Sequence, residues 1–367
     1  MKIIILMLLT WNHAFAKREL IARASDRDGF PARALCFFTN QTPVAIRGEW
    51  LLRYLCLDQG ESAQELWRVS GQGAQLLHAV SEGRQITDPI VAGDEVYLVE
   101  SDDQQALIIW QIDGSEKRAH PLREKNWRIH GGAGLGAGQL LLRATDARGE
   151  MRELLWRATG LQTLSERGVS YYFTAAASSE LVVQKNRLGL SRQWDESRPD
   201  VIEVRRAPEF RPQVVLADRD ADPASPYLGF WNFSVVQGSQ WCVIARRAEG
   251  EVAVIGDGRT LREVPLYQHF ARLDFFPPAL TSDGVLVVRA ERAGVHALWA
   301  IAPQGEPREL LRLGDTVVTD LGVAILQNSL FVTPLVAQGQ SVALGVSLQE
   351  MGSQTHWGQG MLKILVR

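Results

Sequence analysis

Short apolar runs recur along this chain at a nearly constant spacing. They begin at Trp50, Val96, Leu140, Leu181, Trp241, Val285 and Leu330, at intervals of 46, 44, 41, 60, 44 and 45 residues. Each follows a two-residue polar or glycine step, such as Gly48-Glu49, Asp94-Glu95 or Asp283-Gly284. A second set of apolar positions lies 13 to 21 residues further on: Trp67, Trp110, Trp156, Ile202, Val254, Trp299 and Val346. Each unit reads as four short strands. In the second unit these are Thr87 to Ala92, Val96 to Glu100, Leu107 to Ile112 and Lys117 to Leu122, with Asp113-Gly114 as the hairpin turn between the last two. Helical periodicity is almost absent, so the expected class is all-β. A period in the mid-forties with four strands per period predicts a seven-bladed β-propeller of four-stranded blades. A pair of sandwiches or a β-helix does not explain a repeat this long. The long interval carries Pro- and Asp-rich stretches and predicts a loop insertion around residues 194–226, within one domain spanning 17–367.

The first sixteen residues break the rhythm. Lys2, the apolar run Ile3 to Leu9, and Ala14-Phe15-Ala16 have the form of a short secretory signal peptide cleaved near Ala16. The run is too short to span a bilayer. The mature chain is therefore expected in the periplasm or outside the cell, with no membrane span. Ring closure has two candidates, Glu19 to Ala24 and Met361 to Arg367, either of which offers an outermost strand for the last blade.

Composition narrows the partners. Thirty-nine basic residues against 42 acidic give a formal charge of -3, with 46% hydrophobic residues and 11 Trp. That is a globular chain without the basic excess of a general nucleic-acid binder. Of three cysteines, Cys36 and Cys56 can pair in an oxidising compartment while Cys242 stays single, or all three are small buried hydrophobes.

Glu65-Leu66-Trp67-Arg68-Val69-Ser70-Gly71 and Ile109-Trp110-Gln111-Ile112-Asp113-Gly114-Ser115 resemble bacterial propellers built on Glu-Leu-Trp-x-x-Asp-Gly-Thr repeats. Ala279 to Leu313 resembles the TolB-type repeat, with Ser282-Asp283-Gly284, Leu298-Trp299-Ala300-Ile301 and Gly305 to Leu310 opening or forming successive strands. The resemblance implies a propeller that binds envelope proteins. Prolyl-oligopeptidase-type enzymes carry similar blades in front of a hydrolase domain, and the repeats here run to the end of the sequence given.

The residues leading into each innermost strand of a propeller line the rim of its channel. Here they are Asn40, Asp88, His130, Tyr172, Trp231, Asp274 and Asp320. Carboxylates, an imidazole and aromatics facing one funnel suit a small polar ligand or a cation. Asp218-x-Asp220-x-Asp222 has the alternate carboxylates that open a calcium loop, although Pro223 replaces its glycine and Gly229 its bidentate Glu. The glycine-rich run Gly131 to Gly138 misses the dinucleotide register, so its glycines are read as relieving crowding near the channel. No Gly-x-Ser-x-Gly elbow and no metal-type histidine spacing occur.

These features predict no catalytic residues and an exported, non-enzymatic module that binds or scaffolds an envelope or extracellular protein. One rival is a funnel-site hydrolase or lyase acting on a small ester, lactone or glycan. In it His130 is the base, and Asp88, Asp274 or Asp320 holds a cation. Another is a carbohydrate-binding propeller stacking sugars on Tyr172 and Trp231.

Overall fold

The computed structural model describes residues 18–24, 35–38, 44–58, 61–70, 73–80, 83–102, 107–113, 116–122, 127–136, 138–164, 170–175, 180–186, 201–206, 211–237, 240–257, 260–274, 276–319, 321–327 and 335–366. For 22–24, 35–38, 57, 58, 61, 170–175, 180–186, 206, 212 and 231–236 it describes the backbone alone.

The described strands pair into seven sheets. In chain order the first six occupy residues 35–80, 84–121, 128–163, 170–217, 229–265 and 272–312. The seventh takes residues 316–365 and adds Arg18–Ala24 at its outer edge. Neighbouring strands are antiparallel and mostly consecutive, joined by tight turns. One strand of each sheet touches its counterpart in the next: Val44–Ile46, Ile90–Ala92, Arg128–Gly136, Ser170–Ala175, Gly229–Gln237, Ala279–Leu280 and Val336–Gln338, which returns to Val44–Ile46. These strands therefore form the inner wall of a closed circuit.

The reason that the second and third strands read as continuous apolar runs lies in this circuit. Successive side chains of a strand point to opposite faces, and here each face meets a neighbouring sheet. In Gln240–Arg246, Cys242 and Ile244 pack towards the sixth sheet, whereas Trp241, Val243 and Ala245 pack towards the fourth. In Glu95–Asp102, Val96 and Leu98 join the first sheet while Tyr97 and Val99 join the third. Six apolar layers of this kind lie between neighbouring sheets. The third and fourth sheets also share a buried ionic group, beside buried Leu141, Leu155 and Val201. Buried Arg205 donates to Glu153 at 2.8 Å and to Glu203 at 3.0 Å. Ion pairs removed from water in this way are strongly coupled to register, because either partner alone is costly.

The tryptophans of the repeat lie on third strands, opposite the apolar second strands: Trp67 faces Leu52, Trp110 faces Leu98, Trp156 faces Leu140 and Trp299 faces Val288. Buried indole N–H groups require acceptors. Trp67 finds Glu65 at 2.8 Å, Trp110 finds Glu100 at 2.6 Å, and Trp299 finds the Ala290 carbonyl at 3.0 Å. Cys56 is disulfide-bonded, Cys36 stands directly across from it in strand register, and Cys242 is free and buried.

The structure decides the ring closure, which the sequence left open, and corrects two sequence expectations. Of the two closure candidates, the N-terminal strand is outermost, and Met361 belongs to the strand His356–Leu365 just inside it. Because that strand arrives from the far end of the chain, the last unit is shifted by one strand. Val346, expected in a third strand, lies in the second, Ser341–Glu350, and Leu330 falls outside the described residues. The innermost strand of the second sheet starts at Arg84 rather than Thr87 and is split into Arg84–Ile86 and Ile90–Ala92. Pro89, which has no N–H to donate, sits in the break. Within the 194–226 stretch, Val201–Arg206 and Arg211–Ala217 are the third and fourth strands of the fourth sheet, with Ile202 in the third as the repeat expects.

Candidate functional site

Asp88 sits in the break of the second sheet's inner strand, between Arg84–Ile86 and Ile90–Ala92. Thr87 keeps the strand in place: its N–H reaches the Val99 carbonyl at 2.9 Å, and its hydroxyl donates to the Asp88 carbonyl. The Asp88 carboxylate lies 4.0 Å from Arg53 of the first sheet, and Oδ1 makes no hydrogen bond. Arg53 donates instead to the Ile86 carbonyl. The side chain is 35% exposed, yet protein crowds it closely enough that burial pushes its pKa from 3.8 up to about 6, against the pull of Arg53 and Arg143.

His130 lies on the inner strand of the third sheet, Arg128–Gly136. Register shifts between Ile129 and Gly131, which leaves His130 as the extra residue of a β-bulge. Its Nε2 lies 2.6 Å from Thr145 Oγ1. Burial, with help from Arg143 and Arg128, lowers its pKa to about 4, so the ring is neutral at physiological pH. Asp88 and His130 thus share Arg143 as a common charged neighbour. The glycine run after His130 makes this approach possible. A Cβ on Gly134 would lie 2.0 Å from the Val91 carbonyl, and one on Gly132 would lie 2.7 Å from Ile90 Cδ1. At Gly134 the crowding comes from the inner strand of the preceding sheet, and at Gly132 it comes from that strand and from Leu141 and Leu142 of its own sheet.

Asp274 occupies the corresponding break of the sixth sheet, between Arg272–Leu273 and Ala279–Leu280. Its N–H bonds the Arg289 carbonyl at 3.0 Å, and its carboxylate lies 3.8 Å from His296. Buried Arg289 is lowered to about 9 by desolvation, opposed by Asp274, and its guanidinium lies 4.4 Å from the Phe276 ring centre. The described partners of Asp274, Arg289 and His296, belong to its own sheet. Tyr172 and Trp231 lie by backbone in the inner strands Ser170–Ala175 and Gly229–Gln237, and their side chains fall outside the described residues, as do Asn40 and Asp320 entirely.

Sequence reading missed the arginines. Arg53, Arg143 and Arg289 each sit three or four residues into an apolar run, as in Trp50-Leu51-Leu52-Arg53 and Leu140-Leu141-Leu142-Arg143. A charge recurring at one place in otherwise apolar strands was the available signal. Also missed was a cavity of about 230 Å³ where the inner strands of the second and third sheets begin. It is lined by Gln85, Ser101, Asp102, Trp127, Arg128 and Ile129, one residue short of His130.

The acidic triplet at 218–222 forms a turn. Buried Asp218 accepts the N–H groups of Asp220 at 3.0 Å and Ala221 at 3.1 Å, and Asp222 accepts that of Ala224. Among the described residues no group of three His, Cys, Asp or Glu side chains is placed to hold a metal ion. No helix among them is long and apolar enough to cross a membrane.

Radial antiparallel sheets stacked face to face round an inner wall of strands define the β-propeller class. Comparison with solved structures agrees. The β-propeller domain of the Trilobed protease from Pyrococcus furiosus, which has an open velcro topology, superposes with a TM-score of 0.54 at 10% identity over 88% of this chain and 97% of its own. A puromycin-hydrolyzing peptidase of Mycobacterium tuberculosis matches with a TM-score of 0.53 at 12% identity over 96% of this chain and 56% of its own. Prolyl endopeptidases match with a TM-score of 0.54 at 12% identity over 95% of this chain and 51% of theirs. The chain therefore spans about half the length of these two peptidase matches. At such identities the likeness concerns the fold alone. No family model and no curated protein matches the sequence.

Proposed function

We propose that this chain is an exported seven-bladed propeller, of the TolB-like repeat type, that binds or scaffolds a protein in the bacterial envelope without catalysing a reaction. Seven sheets meeting in a circuit support the blade count. The leader-like first sixteen residues and the Glu-Leu-Trp rhythm support export and kinship. The observation that carries a binding role is the inner-strand group: Asp88 Oδ1 without a hydrogen-bond partner, Arg53 4.0 Å away, and neutral His130 sharing Arg143 as a charged neighbour. A carboxyl near half-protonation at pH 6 offers a partner either a donor or an acceptor. His130 suits this role better than that of a base, because a ring with pKa about 4 and Nε2 held by Thr145 has little proton affinity to spend at neutral pH.

Affinity capture from envelope extract tests the proposal. The wild-type protein should retain a partner that an Asp88→Asn, Arg143→Ala variant loses at least about tenfold, equivalent to about 1.4 kcal/mol. Capture of no partner above background by the wild type, or equal capture by both, would remove the binding role. Cell fractionation that leaves the protein in the cytoplasm would remove the envelope assignment.

A further inference from the structure

We infer that the cavity between the second and third sheets is a binding site for one neutral pyranose ring. Its volume, about 230 Å³, lies below the usual range of drug-sized sites and suits a single small ring. Its lining pairs a flat indole, Trp127, with four polar side chains: Gln85, Ser101, Asp102 and Arg128. Three of these end in planar hydrogen-bonding groups. Together they offer donors and acceptors at fixed angles, as a ring of vicinal hydroxyls requires. One carboxylate and one guanidinium leave the lining without net charge, which disfavours an isolated ion. Asp102 is already engaged within the protein, so it is better placed to accept from a hydroxyl than to neutralise a ligand ammonium.

The position is pre-organised. Gln85 and Ser101 are cross-strand partners in one sheet, and Arg128 is paired with Thr145 in the next. Trp127 packs one part of its ring on the apolar layer between those sheets. A sugar placed against the indole would bury its C–H face while its hydroxyls meet the polar wall. This site borders the one proposed for a protein partner, since Arg128 also acts on His130, but its lining does not include Asp88.

The test is saturation-transfer NMR with the full chain and a millimolar panel of glucose, galactose, mannose and N-acetylglucosamine, with glycine and glutamate as zwitterion controls. At least one pyranose should show transfer, and titration should weaken about tenfold in Arg128→Ala and in Asp102→Asn. Trp127→Ala should abolish transfer. Trp127→Phe, which keeps a ring in the core, should retain it. Asp88→Asn should bind sugar as the wild type does, so that loss of the protein partner and loss of the sugar are read separately. Transfer to no pyranose, transfer to the amino acids alone, or sugar binding indifferent to Arg128→Ala and Trp127→Ala would overturn the inference.

Discussion

Asp88 and His130 carry opposite pKa displacements within one neighbourhood, and the consequence is a pH profile with compensating slopes. A carboxyl moved from 3.8 to about 6 binds protons more readily when folded. Its stabilisation is complete below pH 4 and is lost as pH rises through 6. His130, moved from 6.5 to about 4, binds protons less readily when folded, so its contribution is lost as pH falls from 6.5 through 4. Arg53, Arg143 and Arg128 are the fixed charges facing the pair. Relative to the wild type, the Tm of Asp88→Asn should therefore gain as pH rises between 4 and 6, and that of His130→Gln should lose as pH rises between 4 and 6.5. Thermal melts across this range check the signs. An NMR titration of the His130 ring should show a midpoint near 4, and an unshifted midpoint near 6.5 would remove the account. Neither displacement was legible in the chain, because each is set first by burial, which the packing of neighbouring sheets decides.

At the scale of the strand, the glycines of Arg128–Gly136 show how a local pattern acquires its meaning from a neighbour. The run reads as crowding relief from composition alone, but the crowding partner, Ile90 to Ala92, comes from the preceding sheet. Replacing Gly134 with Ala would drive a methyl against the Val91 carbonyl. Overpacking of this kind costs about 1–3 kcal/mol, and the Tm should fall accordingly. Gly149→Ala serves as the control, since its Cβ would meet nothing within 4 Å and its strain comes only from a positive φ. A Gly134→Ala variant no less stable than that control would show that the inner strands are not in contact. The strand calendar itself was readable: Leu107–Asp113 and Glu116–Pro121 fall within one or two residues of the expected limits. The break at Asp88 was less so, since Pro89 marks a defect without saying that the strand resumes beyond it.

The whole molecule depends on one long-range junction. Arg18–Ala24 pairs with His356–Leu365, and Arg18 fastens it to the sixth and seventh sheets by donating to the Leu310 carbonyl at 2.8 Å and to Asp315 at 2.7 Å. Both side chains of the ion pair are 15% exposed, so water replaces the lost contact poorly. Arg18→Ala should destabilise by about 1–3 kcal/mol, the usual cost of leaving a charged hydrogen-bond partner unsatisfied. Hydrogen exchange should rise first in His356–Leu365, whose outer partner is loosened. Exchange rising uniformly over all seven sheets, or not at all, would mean that the junction does not hold the circuit shut. This closure is also where the fold comparison stops being informative, since the Pyrococcus furiosus domain has an open velcro.

The amino-acid order by itself determined the all-β class, the repeat length and most strand limits. These follow from short-range facts: side-chain alternation, turn chemistry and the absence of helical periodicity. Only the tertiary structure decided which terminus closes the circuit, that Arg53 and Arg143 from different sheets flank one carboxylate, and that a polar cavity opens between the second and third sheets. Those outcomes depend on which faces meet across sheets. A two-residue alternation specifies that a face is buried, but not what is packed against it.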